Sequence, residues 1–149
     1  MTTTKTKAET DGALATSERE TRARRAAGAA AAFLGAFLVL NTYWGLGGRW
    51  GVAWVLGCNC TVPLAAVWAQ EAVIVAGIGV VLGRAGLWRP AVAGWIFRVG
   101  IWAMTASFVA VGLQNLMGDT TVQARVLFAP MAFALSALCL IVARRRRGR

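Results

Sequence analysis

The chain has 149 residues, 58% of them hydrophobic, and a mean hydropathy of +0.59, against the ~45–50% apolar content of an ordinary soluble domain. Its net charge of +10 is concentrated at the ends, with six of 16 Lys/Arg before Ala26 and five after Ala143. Basic clusters beside apolar blocks mark membrane topology and contacts with anionic lipid, which argues against nucleic acid as the partner. The chain has no histidine, which excludes His-based acid–base catalysis, His-ligated haem and most zinc sites, and its three cysteines are too few for a disulfide framework. No cofactor motif and no metal-ligand set is legible.

Residues 1–25 read as a cytoplasmic tail of mixed charge, disordered to about Thr16 because it has nothing to bury. Ser17-Glu18-Arg19-Glu20 fits a capping box, which predicts a helix from Ser17 running into the first apolar block. That block, 26–43, is a span and not a cleaved signal peptide, because the NTYWGLGGRW that follows it offers no small-residue cleavage site. Gly28, Ala32 and Ala36 within it form a small-xxx-small stripe. Gly45, Gly47, Gly48 and Gly51 then interrupt the helix, while Trp44, Trp50 and Trp54 suit a loop at the membrane boundary, with a short helix around Val52–Leu56.

The second span is 64–82, with Pro63 just ahead of it and a G-x-x-x-G at Gly79 and Gly83 near its end. Arg84–Pro90 makes a basic turn. The third span, 91–113, is 23 residues long, roughly 34 Å of helix against a ~30 Å hydrocarbon core, and holds one charge, Arg98. A polar loop follows. The fourth span is 125–143, with Pro130 in its first turns, and residues 144–149 form a basic cytoplasmic tail. Placing both termini in the cytoplasm puts thirteen Lys/Arg inside and only Arg49 and Arg125 outside, so the expected fold is an all-α, antiparallel four-transmembrane-helix bundle in the cell membrane.

The box Tyr43-Trp44-Gly45-Leu46-Gly47-Gly48-Arg49-Trp50-Gly51 resembles the segment after the first span in a family of small bacterial four-span membrane proteins classed as a domain of unknown function. Phe97-Arg98 in the third span and Phe128-Ala129-Pro130-Met131 early in the fourth agree with it. The resemblance covers roughly 29–143. It departs at Asn41-Thr42, where such proteins often carry a His before the Tyr-Trp pair, and at Phe128-Ala129-Pro130, where they often carry a Tyr-Ser-Pro-like sequence. It implies a fold and no activity.

Three groups could carry chemistry. Glu71 and Arg98 are the charges inside apolar spans. Counted from the turn between them they lie about 16 and 10 Å deep, an offset that extended side chains bridge. They form either an ion pair fixing how spans two and three pack, or a proton or substrate site lined by Glu71, Arg98 and Asn41. Alternatively, Arg98 snorkels to headgroups. Trp68 shares the Glu71 face, and Trp102 is placed to stack on Arg98. Cys58 and Cys60 on the outer side could form a strained, redox-active disulfide across one residue, or be structural thiols. The Gly47-Gly48-Arg49-Trp50 loop offers backbone N–H groups for an anion nest, or simply a tight turn.

The expected function is that of a non-enzymatic scaffold or accessory protein of the bacterial plasma membrane. The alternatives are a small proton-coupled transporter using Glu71 and an outer-face thiol redox protein using Cys58 and Cys60. The expected partners are the bilayer, anionic inner-leaflet lipids at the basic tails, and a second copy or another membrane protein.

Overall fold

The computed structural model describes residues 3–53, 63–88, 94–118 and 121–144. Four long helices make up the fold: α1 (Thr3–Gly45), α2 (Leu64–Ala85), α3 (Gly94–Met117) and α4 (Ala129–Ala143), the last continuing a π-helical turn at Ala124–Phe128. Each supplies a stretch long and apolar enough to cross a membrane: Leu14–Gly45, Leu64–Ala85, Gly94–Met117 and Arg125–Ala143. This is the all-α four-helix bundle of a multi-pass membrane protein.

The helix ends follow from particular residues. Gly47 takes a left-handed backbone (φ +91°), its N–H bonds the Trp44 carbonyl at 3.0 Å, and the Gly48 N–H bonds that of Tyr43 at 2.9 Å. That pair of bonds is a Schellman cap, which satisfies carbonyls orphaned at a helix end. Gly86 (φ +73°) ends α2 in the same way, its N–H reaching Gly83 and that of Leu87 reaching Leu82. The Pro63 carbonyl accepts from Ala66 and Val67 at the start of α2. Pro130 has no N–H to give Val126, and its ring crowds that carbonyl, which accounts for the widened turn just ahead of α4.

At the N-terminus the expected tail is helix from Thr3, so Ser17 lies inside α1 and caps nothing. Glu20 instead pairs with Arg24 one turn on, at 3.0 Å. Span one is the second half of α1, whose 43 residues extend ~64 Å, about twice a hydrocarbon core. α3 is described from Gly94; residues 91–93, where the third span was expected to start, lie outside the described residues.

Around the bundle α1 packs on α2, α2 on α3, α3 on α4, and α4 closes the ring on α1. Neighbours in sequence are antiparallel. Asn41 meets Val67, Val80 lies against Gly100, and Ser136 meets Thr105. One end, where Arg22, Arg24, Arg25, Arg84 and Arg144 gather, is packed with small side chains: Ala26, Ala27, Ala30, Ala85, Val142 and Ala143 share one buried cluster there. Small residues let helix axes approach closely. Farther along, the partly buried Phe33, Phe37, Met104 and Phe108 pack against this core. The outside is the apolar side, with Val39 71% and Val73 70% exposed, the distribution expected when lipid is the solvent.

Candidate functional site

The densest polar constellation among the described residues joins α1 to α2, about 10 Å in from the end opposite the basic cluster. Val67, Glu71 and Ile74 lie on one stripe of α2 by helical spacing. Asn41, 1% exposed, donates its amide N–H to the Val67 carbonyl at 3.1 Å. The next residue, Thr42, places its hydroxyl 2.6 Å from Glu71 Oε1 and 2.9 Å from the Leu38 carbonyl. A hydroxyl has one proton to give. With Glu71 a carboxylate, Thr42 donates to it. With Glu71 protonated, the acid donates to Thr42 Oγ1 and Thr42 donates to Leu38, so the same geometry accommodates both forms.

Glu71 and Arg98 are not brought together. Gly83 faces Phe97, Val80 faces Gly100 and Gly77 faces Met104, a register that puts Arg98 level with the last turn of α2. Glu71 is twelve residues, ~18 Å, up α2 from Gly83. The shorter offset expected from sequence took the turn between the helices as symmetric; the contacts set the register. Arg98 is exposed on α3, about 6 Å from the helix start, within reach of a headgroup layer. Trp102 is exposed and makes no stacking contact with it among the described residues, and Trp68 faces outward at 59% exposure. The ion pair found among those residues is Glu20–Arg24.

The glycine box is a folded-back cap. Trp44 is buried against the protein. Its indole N–H donates to the Trp50 carbonyl at 2.8 Å, and its ring meets Phe37 edge-on at 6.4 Å. Tyr43 and Trp50 are exposed. A Cβ on Gly48 would collide with the Tyr43 ring, so a larger residue there must displace that exposed side chain. Because the Gly47 and Gly48 N–H groups are bonded to helix carbonyls, they do not form the anion nest considered above. Arg49 is exposed. Cys58 and Cys60 lie outside the described residues, as do Trp54 and Arg145–Arg149. Cys139 is a free thiol buried in α4.

Several polar residues that the sequence reading passed over hold the bundle together. Arg84, counted there as a loop base, is buried and donates to the Ala143 carbonyl at 3.1 Å, tying α2 to the C-terminal end of α4, where the helix dipole favours a cation. Ser136 donates to the Thr105 carbonyl at 3.1 Å, joining α4 to α3. Arg125 donates to the Gly118 carbonyl at 3.2 Å. Gly79 and Gly83 are seats for the Trp88 and Phe97 rings, not a helix-dimer motif. Gly28, Ala32 and Ala36 lie on the outer face of α1. No family model matches the chain, and neither curated proteins nor solved structures return a match.

Proposed function

We propose that the chain is a non-enzymatic scaffold or accessory protein of the bacterial plasma membrane, crossing it four times with both termini in the cytoplasm, of the kind its Tyr43–Gly51 box resembles. The observation that carries this reading is where the polar side chains of the spans are engaged. Asn41, Thr42, Arg84 and Ser136 each bond a neighbouring helix, which is the use expected of polar groups that fix a bundle. The basic residues gathered at one end support the cytoplasmic placement of that end, and the extension of α1 beyond its span offers a surface there for a partner.

A second reading, a proton-coupled transporter, is favoured by Glu71, whose contact with Thr42 serves both protonation states. The two part company in proteoliposomes loaded with a pH-sensitive dye. A scaffold carries no more proton flux than empty liposomes, in the wild type and in Glu71→Gln alike. Flux in the wild type that Glu71→Gln abolishes would overturn the scaffold reading and establish the transporter.

A further inference from the structure

The α2–α3 seam is shut at the basic end, where Phe97 seats on Gly83 and Val80 on Gly100. Toward the other end the two helices part around a cavity of about 670 Å³, floored by Phe33 and Phe37 of α1 and Leu135 of α4. Its walls are hydrocarbon apart from Ser107 at mid-height and two carboxamides, Gln70 and Asn115, at the end away from the basic cluster. The Asn115 amide is steadied by donating to the Val111 carbonyl at 3.0 Å. Phe128, from the turn that Pro130 widens, also reaches this wall, and π-helical turns recur where a helix is shaped for a ligand.

Size and polarity select the occupant. The cavity opens sideways between α2 and α3 and is lined almost wholly by hydrocarbon, which suits a slender apolar chain. Its volume falls within the ~300–1,000 Å³ of small-molecule sites, which are likewise apolar with a few placed polar groups. We propose that this cavity binds one long hydrocarbon chain of a membrane amphiphile, with its polar end at the level of Gln70 and Asn115. The chain enters sideways from the bilayer between α2 and α3. The site stands independently of the scaffold reading, since either a scaffold or a transporter could hold it.

The chain could belong to a free single-chain amphiphile or to a bilayer phospholipid, and two probes separate these. Full-length protein in phosphatidylcholine vesicles is irradiated with palmitic acid bearing a chain-terminal diazirine or, in a parallel arm, with phosphatidylcholine bearing the same group on one acyl chain. Labelled residues are then mapped by mass spectrometry. Labelling concentrates on Val73–Val80 and Ala103–Val111, and Ala103→Trp, which fills the opening from an exposed position, reduces it at least tenfold. Val39→Trp on the outer face of α1 leaves it unchanged. Ala76→Trp, across the same opening, repeats the test should Ala103→Trp fold poorly. Concentrated labelling by palmitic acid alone identifies a free amphiphile, and by phosphatidylcholine a bilayer lipid. Labelling spread evenly over the lipid-facing side chains and indifferent to both tryptophans would overturn the proposal. So would crosslinks from cavity residues to a second copy.

Discussion

Asn41 and Thr42 are neighbours on α1 that serve one seam in different ways, the first through the backbone of α2 and the second through its one carboxyl. Interhelical hydrogen bonds in membranes contribute ~0.6 kcal/mol on average and up to ~1.7. Asn41→Ala should therefore lower stability in detergent by about 1 kcal/mol, measured by reversible unfolding. Glu71 and Arg98 should behave as independent sites. In a double-mutant cycle of Glu71→Gln and Arg98→Gln, the coupling should stay within ~0.5 kcal/mol, as for distant residues. A buried ion pair would show instead as a loss of ~3–5 kcal/mol when one partner goes and recovery when both do. The presence of two charges inside spans was legible in the sequence; their partners were not. Pairing depends on helix register, and register is set by contacts such as Phe97 on Gly83 that no local signal announces. Thr42 escaped notice because a threonine in a span reads as neutral until its neighbour is known.

Helix limits were more accessible, because Pro63, the glycine box and the charged turns are local signals. What the box does was not, since a Schellman cap and an anion nest call for the same glycines and differ only in where the N–H groups point. Gly47→Ala should cost about 1–2 kcal/mol through its left-handed backbone, with the far-ultraviolet helix content nearly unchanged. Gly48→Ala should also displace the Tyr43 ring, read as a shift in tyrosine fluorescence or solvent accessibility. The widened turn at Ala124–Phe128 is attributed to Pro130. Pro130→Ala should restore the bond to the Val126 carbonyl and close the turn to α-helix, seen as added amide-exchange protection at Ala129–Met131. Unchanged protection would mean that packing against α3, and not the proline, sets the turn. The length of α1 could not be anticipated either: Ser17 and Glu20 matched a start signal, yet Glu20 has a better partner in Arg24.

At the scale of the molecule, four apolar blocks and a lopsided charge distribution carried the architecture in the sequence, and the structure adds how the helices pack. Alanines pack the basic end, and Phe33 and Phe37 floor the cavity between α2 and α3. The charge bias predicts that reporter fusions at either terminus report the cytoplasm; opposite compartments would contradict an even number of spans. The central claim is the register in which these helices meet, with Glu71 beside Thr42 and far from Arg98. Cysteine pairs test it most directly, introduced into the full chain after Cys58, Cys60 and Cys139 are replaced by alanine, and oxidised in native membranes. The account predicts a disulfide within a chain carrying Val80→Cys and Gly100→Cys, where a Cβ on Gly100 lies 3.7 Å from that of Val80, within disulfide reach, and none in one carrying Glu71→Cys and Arg98→Cys. The reverse result would contradict it.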